Sequence, residues 1–147
     1  MNFRDRLIGH WQLESFIERG ENGESFDVWG SNPAGYITYL ESGHMSVVFA
    51  GSARSAYSGA WSGVTDAQKA ANYDAMVAYS GRFTAQEDCV VHHVEVCWIP
   101  NWEGRDLERH VTFLPDDRVL LRTPSERFGR KQAVQDVIVR RVTDLAR

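Results

Sequence analysis

The sequence predicts a mainly β protein whose strands form a single antiparallel up-and-down β-barrel. Short stretches alternate apolar and polar residues with a period of two, as expected of strands that bury one face. These stretches follow one another through short turn-like connections, ESGH at 41–44, QED at 86–88 and PDD at 115–117. Only one substantial helical stretch interrupts them, in the middle of the chain. This order favours an antiparallel barrel over a parallel α/β fold.

The first half of the chain begins with a short helical turn over 3–8, followed by a strand over 10–18. Alternation in that strand predicts one face with Trp11, Leu13, Ser15 and Ile17, and an opposite face with His10, Gln12, Glu14 and Glu18. After a polar turn at 19–24, residues 35–50 predict a hairpin in which Gly43 supplies the positive φ of the turn. A stretch rich in Gly, Ser and Ala, 50–63, is expected to wrap the surface or to form a loop at the barrel mouth.

The second half begins with the predicted helix. Thr65 and Gln68 have the spacing of a capping box, which predicts a helix over 66–79. Its inward-facing residues are expected to be Ala70, Tyr73, Val77 and Met76. The chain after Gly81 is strand-like, apart from a polar, Gly-containing loop at 124–133. All 147 residues are assigned to one domain, 1–147, a size that supports a core without disulfides or metal.

Composition and charge exclude several classes of function. The net charge is −4 and the basic residues are scattered among acidic ones, which argues against a nucleic-acid partner. No apolar run approaches the roughly 20 residues of a membrane span, and the N-terminus lacks the apolar stretch of a signal peptide. Cys89 and Cys97 would lie about 26 Å apart along one strand, too far for a disulfide. Free thiols without an export signal predict a cytoplasmic protein.

Several segments resemble, in order and spacing, a known family. GHW at 9–11 resembles the G-x-W signature of lipocalins, in which the Trp closes one end of the barrel under an Arg of the last strand; Arg140 and Arg141 are the candidates. Over nearly the whole chain the sequence resembles the bacterial and fungal lipocalin-like domain family, most specifically in HHVEV and PNW-x-G. The resemblance implies an eight-stranded or near-eight-stranded barrel around a ligand cavity, and little about chemistry.

The stretch CVVHHVEVCWI, 89–99, places two histidines side by side in one strand. Because side chains alternate between the faces of a strand, His92 and His93 point in opposite directions. The more apolar face, with Val90, His92, Val94, Val96 and Trp98, is expected inside, and His93 and Glu95 outside; a bulge would shift this assignment.

The next strand is read in the same way. It is expected to turn Leu107, Arg109, Val111 and Phe113 inward. A buried Arg needs a partner, either a carboxylate of the protein or an oxygen of a ligand.

These assignments define a predicted apolar, aromatic cavity. His92 and Arg109 are the candidate catalytic residues. The candidate ligand-binding residues are Tyr39, Met45, Trp61, Tyr79, Val94, Trp98 and Phe113. A few polar groups in an apolar pocket are typical of a small-molecule site.

Other chemistries lack their motifs. Adjacent side chains of a strand diverge and metal-ligand spacings are absent, so no metal site is predicted. No cofactor is predicted either, since no Gly-rich phosphate loop opens a helix. Neither cysteine has an evident group to stabilise its thiolate.

Three hypotheses about function remain, of which the first is favoured. It is a cofactor-independent isomerase, cyclase or lyase, in which His92 exchanges protons and Arg109 or a Tyr hydroxyl stabilises an oxyanion of a polyketide- or terpenoid-like metabolite. The second is a carrier that binds a hydrophobic metabolite without chemistry. The third is a barrel filled by its own side chains that acts as an interaction module. The expected partner is a small hydrophobic molecule, and a homodimer is left open.

Overall fold

The computed structural model describes residues 1–52, 54–57, 59, 61–128 and 131–143. Its helices are α1 (Phe3–Leu7) and α2 (Asp66–Asp74), with short 3-10 turns at Trp61–Gly63 and Pro100–Trp102. Its strands are β1 (Gly9–Gly20), β2 (Ser25–Asp27), β3 (Ala34–Tyr39), β4 (His44–Ala50), β5 (Met76–Gln86), β6 (Cys89–Cys97), β7 (Asp106–Leu114), β8 (Arg118–Arg122), β9 (Glu126–Phe128) and β10 (Lys131–Arg141).

Eight of these strands close into an antiparallel barrel, so the predicted fold class is confirmed. The sheet runs β1-β3-β4-β5-β6-β7-β8-β10, and β10 pairs back onto β1 from Arg141 opposite Trp11 to Ala133 opposite Gly20. The short strands β2 and β9 extend β1 and β10 at one end only. Closure pairs both edges of the sheet, which removes the exposed edge that an open sheet would present.

Helix α1 covers one end of the barrel, which we call the closed end. The Trp11 indole is 1% exposed and donates a hydrogen bond of 2.8 Å to the carbonyl oxygen of Leu7. The Arg141 guanidinium lies 4.2 Å from the centre of the Trp11 ring and donates to the carbonyl oxygens of Ile8 and Arg6. Arg141, rather than Arg140, is therefore the Arg that closes this end.

A bulge in β1 changes the predicted faces of that strand. The pairing with β10 shifts between Leu13 and Ser15, which adds one residue to β1. Trp11 and Leu13 are buried as predicted, but beyond the bulge Phe16 and Glu18 become the buried residues. The predicted positions of Ser15, Ile17 and Glu18 were therefore wrong, because simple alternation does not include the extra residue.

A second bulge changes the end of β6. The pairing of β5 with β6 shifts so that Gly81 faces Val94 and Ser80 faces Val96, leaving Glu95 as the extra residue. Val90, His92 and Val94 are buried as predicted, whereas Val96 is 59% exposed. The inward assignment of Val96 was wrong for the same reason as in β1.

Helix α2 is shorter than predicted and lies on the surface. The Thr65–Gln68 capping box is present, but the helix ends at Asp74 and has no buried residue. Met76 and Val77 belong to β5, where they pair with Ala50 and Phe49 of β4. The predicted inward positions of Ala70 and Tyr73 were wrong, because strand pairing from Met76 onward ends the helix before it forms an apolar face.

The region between β8 and β10 was predicted as a loop over 124–133, and this was wrong in part. Glu126–Phe128 pair with Lys131–Ala133, so this region forms a small hairpin. Among the described residues, none of the helices is both long and apolar enough to cross a membrane.

Candidate ligand-binding site

A small internal space lies towards the end of the barrel opposite α1, which we call the open end. It has a volume of about 40 Å³. Its lining comes from all eight strands of the barrel, the residue after β8 and the 3-10 turn after β6: Phe16, Ile37, Val47, Phe49, Val77, Tyr79, His92, Trp102, Arg109, Leu121, Thr123 and Val137. The lining is therefore mostly aliphatic and aromatic, with four polar side chains.

His92 lies at the inner side of this space, between two tyrosines. Its side chain is 1% exposed. The Tyr39 hydroxyl lies 2.6 Å from Nε2 and the Tyr79 hydroxyl lies 2.6 Å from Nδ1. Register explains the arrangement, because β6 places His92 opposite Phe83 of β5, and the alternation of β5 places Tyr79 on the same inner face. Both ring nitrogens of His92 are therefore engaged by hydroxyl groups of the protein.

Burial favours the neutral forms of these three side chains. It lowers the pKa of His92 well below its usual value, and the positive charge of Arg109 lowers it further. Burial also raises the pKa of Tyr39 and of Tyr79, while Arg109 partly opposes both rises. A neutral imidazole and two neutral phenols therefore form a hydrogen-bonded chain, Tyr39–His92–Tyr79.

Arg109 is the only formally charged residue among the described residues that line this space. It is partly buried, and its guanidinium donates a hydrogen bond of 2.7 Å to the carbonyl oxygen of Glu108. Arg109 takes part in none of the nine side-chain ion pairs within the described part of the chain. A guanidinium in a largely apolar lining, without a carboxylate partner among the described residues, is chemically able to stabilise an anionic oxygen.

The structure brings only some of the predicted site residues together. Arg109, His92 and Tyr79 line the space, and Tyr39 lies directly behind His92. Met45 and Val94 are buried in the core but do not line the space.

Three other predicted residues lie elsewhere or outside the description. Phe113 packs at the closed end, where its ring contacts Phe3 and lies beneath the Arg6 guanidinium. Trp98 lies outside the barrel wall, because the bulge at Glu95 reverses the face it occupies; its ring contacts Trp102 and Tyr73. Trp61 begins a 3-10 turn, and its side chain lies outside the described part of the structure.

Sequence reasoning missed two of the more informative lining residues. Trp102 follows β6 in the 3-10 turn Pro100–Trp102 and packs edge-on against Tyr79, with ring centres 6.4 Å apart. The PNW-x-G segment that contains it was singled out only as part of the family pattern. Thr123, just after β8, was missed because a Thr near a strand end has no distinctive signal; its hydroxyl accepts a hydrogen bond from the Gln135 backbone.

The volume of the space limits the size of a ligand that the barrel can hold without rearrangement. About 40 Å³ holds a few water molecules, whereas small-molecule pockets typically enclose roughly 300–1,000 Å³. Most of the barrel interior is therefore occupied by the protein's own side chains. A ligand larger than water needs the side chains at the open end to move apart.

Other reactive groups are few in the described residues. There, no group of three or more His, Cys, Asp or Glu side chains is arranged to hold a metal ion. Cys89 and Cys97 are both free thiols, and burial raises the pKa of each. Both thiols are therefore less reactive than an ordinary cysteine.

Comparison with known proteins identifies the family of the chain. No curated protein matches the sequence at a significant level. A solved structure of a redesigned β-barrel is similar over 95% of each chain, at 11% identity and a TM-score of 0.45, which is too low to inform function. The profile of the lipocalin-like domain family matches residues 8–142. The chain therefore belongs to the lipocalin-like domain family.

Proposed function

We propose that the protein binds a small hydrophobic molecule that carries an acidic oxygen, with that oxygen placed beside Arg109. A lipocalin-like barrel suggests binding of a small hydrophobic molecule in general terms. The observation that supports the finer proposal is Arg109, a partly buried guanidinium in a mostly apolar lining, with no carboxylate partner among the described residues. A carboxylate or enolate would supply the missing charge, while the apolar lining would take the body of the ligand.

The size of the internal space indicates how such a ligand enters. The space beside Arg109 is large enough for a head group but not for a hydrocarbon body. We expect the head group to replace water there and the body to extend towards the open end. The bound form then differs from the free form in the side chains at that end. Of the lining residues, Phe49, Val77 and Thr123 lie within one residue of a strand end, and Trp102 lies in the turn after β6.

The test compares an acid with its matched alcohol. Octanoate and octanol have the same apolar chain and differ in the head group, and titration calorimetry measures their affinities for the protein. Replacing Arg109 with Met keeps an unbranched apolar side chain at this position and removes the charged guanidinium. We expect Arg109→Met to lower octanoate affinity by at least about tenfold, as for loss of a hydrogen bond to a charged group. Octanol affinity should change little.

A matched control uses an Arg on the outer face of the barrel. Arg82 pairs with Glu95 at 3.0 Å, and both side chains are largely exposed. Arg82→Met removes the same charge without touching the internal space, so octanoate affinity should stay unchanged. Equal losses in both variants would mean that net charge, rather than a site at Arg109, controls binding.

A second candidate is a cofactor-independent isomerase, cyclase or lyase that acts on a polyketide- or terpenoid-like metabolite. The observation that favours it is the Tyr39–His92–Tyr79 chain, which joins a neutral imidazole to a hydroxyl in the lining. Such a chain can accept or donate a proton at the ligand, and Arg109 can stabilise an enolate oxygen. His92, Tyr79 and Arg109 then have catalytic roles.

Exchange of carbon-bound hydrogen tests this candidate without knowledge of the natural substrate. A hydrophobic ketone is incubated with the protein in heavy water, and mass spectrometry follows deuterium uptake next to the carbonyl. Catalysis predicts faster uptake with the wild-type protein than with His92→Gln, at equal ketone affinity. Uptake at the same rate in both, or at the rate of buffer alone, counts against acid–base chemistry and leaves the binding proposal intact.

We also infer that the protein works in a reducing compartment such as the cytoplasm. Both cysteines are free thiols, so the fold contains no disulfide bond between them that an oxidising compartment would maintain. Fractionation of the native host, followed by immunodetection of the protein, would test this location.

A further inference from the structure

The numbers of donors and acceptors on His92 and its two tyrosine partners determine which group donates each hydrogen bond in the Tyr39–His92–Tyr79 chain. A neutral imidazole has one N–H donor and one bare nitrogen acceptor. Tyr39 contacts Nε2 and Tyr79 contacts Nδ1, each at 2.6 Å. One tyrosine must therefore donate its hydroxyl proton to His92, while the other accepts a proton from it.

In one arrangement, Tyr79 donates to Nδ1 and the Nε2 proton of His92 is donated to Tyr39. The Tyr39 hydroxyl proton then needs a second acceptor. Tyr39 is 1% exposed, and its only side-chain hydrogen bond within the described residues is the one to His92. This arrangement would leave a buried donor without an acceptor, which is costly.

In the other arrangement, Tyr39 donates to Nε2, and the Nδ1 proton of His92 is donated to the Tyr79 oxygen. Every buried donor of Tyr39 and His92 is then satisfied. The remaining proton is that of the Tyr79 hydroxyl, and Tyr79 lines the internal space, where a water or a ligand can accept it. The arrangement with the proton on Nδ1 is therefore the one that burial favours.

We propose that Tyr39 and His92 are positioning residues that hold the Tyr79 hydroxyl as a donor towards the internal space, so that Tyr79 and Arg109 together select an acceptor oxygen of the ligand. This inference rests on the proposed function, because it specifies which oxygen the same site accepts. Tyr79 and Arg109 both present hydrogen-bond donors to the ligand, so a carboxylate, carbonyl or enolate oxygen fits between them. A ligand that offers only a donor finds no partner in the pair.

The position of the proton on His92 is directly measurable. Long-range proton–nitrogen correlation spectra of protein labelled with nitrogen-15 histidine distinguish a protonated from a bare ring nitrogen. The chain has five histidines, and comparison with His92→Gln identifies the signals of His92. We expect a protonated Nδ1 and a bare Nε2 in the free protein at neutral pH. A protonated Nε2 with a bare Nδ1, or protonation of both nitrogens, would overturn the proposal.

Variants of two tyrosines on the same strand test the positioning role. Tyr39→Phe removes the donor that engages Nε2 and leaves that nitrogen without a hydrogen-bond partner, so the bias towards Nδ1 weakens and the nitrogen signals of His92 should shift. Tyr36, which is 44% exposed and stacks on His10, provides the control. Tyr36→Phe should leave the His92 signals unchanged. A His92 spectrum that is unaffected by Tyr39→Phe would contradict the positioning role, even if the variant folds normally.

A ligand measurement separates this inference from the proposed function. Tyr79→Phe should lower octanoate affinity by about tenfold, because a donor to a charged oxygen is lost. If Arg109→Met weakens octanoate binding and Tyr79→Phe does not, the donor role of Tyr79 is refuted while the proposed function stands. If neither variant weakens binding, the proposed function and this inference both fail.

Discussion

The Tyr79 hydroxyl and Nδ1 of His92 lie 2.6 Å apart, at the boundary between the buried core and the internal space. On the far side of the imidazole, the Tyr39 hydroxyl lies at the same distance from Nε2. His92 lines the space but does not present a free nitrogen to a ligand, and Tyr79 is the member of this chain whose polar group faces it. Any proton exchange by His92 has to pass through a tyrosine hydroxyl.

Burial of neutral His92 predicts a loss of stability in mild acid. Its pKa in the folded state lies well below the usual value of 6.5, because burial disfavours the charged ring. Below about pH 6.5 the unfolded chain binds a proton that the folded state does not, so folding stability falls as the pH falls. We expect this one residue to contribute about 1.4 kcal/mol per pH unit in that range. Urea unfolding of wild type and His92→Gln from neutral pH to acid measures it, and parallel pH profiles would contradict it.

The hydrogen bonds of Asp136, on the outer side of the barrel, predict a loss of folding stability when acid protonates this carboxyl. Its side chain is 5% exposed and receives hydrogen bonds from Arg122 and Arg19 at 2.6–2.8 Å. Burial by itself raises the pKa of this carboxyl, but the two arginines more than offset that and hold the pKa below its usual range. The hydrogen bonds from Arg122 and Arg19 to Asp136 therefore stabilise the fold at pH values above the ordinary pKa of the carboxyl. This contribution is lost as the pH falls and Asp136 becomes protonated.

We expect Asp136→Asn to lower the free energy of unfolding at neutral pH by about 1.5–3 kcal/mol. Asp88, whose side chain is 67% exposed beside His110, is the matched control. Asp88→Asn should change stability by less than about 0.5 kcal/mol. Similar small effects in both variants would show that Asp136 contributes no more than a surface ion pair.

Position 9, at the closed end of the barrel, is expected to require a glycine. Its φ is +146°, and a Cβ at this position would lie 2.6 Å from Nη1 of Arg141. Because that guanidinium is held over Trp11 and by two carbonyl oxygens, it has little freedom to move away. Gly9→Ala should cost about 1–3 kcal/mol in thermal or urea unfolding. Gly63, where a Cβ would meet nothing within 4 Å, should tolerate Ala within about 0.5 kcal/mol.

The bulge in β6 predicts that Lys substitutions at two valines, which simple alternation places on the same face, have very different effects on stability. Val94 is 3% exposed and Val96 is 59% exposed. Val94→Lys would bury a charge without a partner and should prevent stable folding, whereas Val96→Lys should leave the unfolding midpoint nearly unchanged. Circular dichroism melts of the two variants make the comparison. A severe loss with Val96→Lys would place the bulge elsewhere.

Much of the fold could be predicted because period-two alternation reports burial directly, as for His92 and Val90 in β6 and for Leu107 and Val111 in β7. Alternation failed after Leu13 and after Val94, since a bulge inserts one residue and leaves no distinctive composition. The helix prediction ran too far because Met76 and Val77 fit a helical pattern as well as a strand. Pairing with β4, a long-range contact, decided for the strand.

The candidate site was only partly predictable for a related reason. Alternation can place His92 and Arg109 inside, but it does not tell which end of the barrel a side chain occupies. Tyr79 was a candidate although it was predicted at the end of a helix, whereas it lies in β5. Phe113 and Met45 are inner-face residues that lie away from the space, and Trp102 reaches it from a turn. The contact of both His92 nitrogens with tyrosines depends on register across β3, β5 and β6, which one sequence does not reveal.

The central claim is that Arg109 gives the barrel a preference for an acidic head group on a small hydrophobic ligand. Calorimetric titration of the wild-type protein with octanoate and with octanol at neutral pH tests it most directly. The account predicts that octanoate binds at least about tenfold more tightly, as expected for one hydrogen bond to a charged group. It also predicts that this preference disappears in Arg109→Met. Equal affinities for the acid and the alcohol in the wild-type protein would contradict the claim.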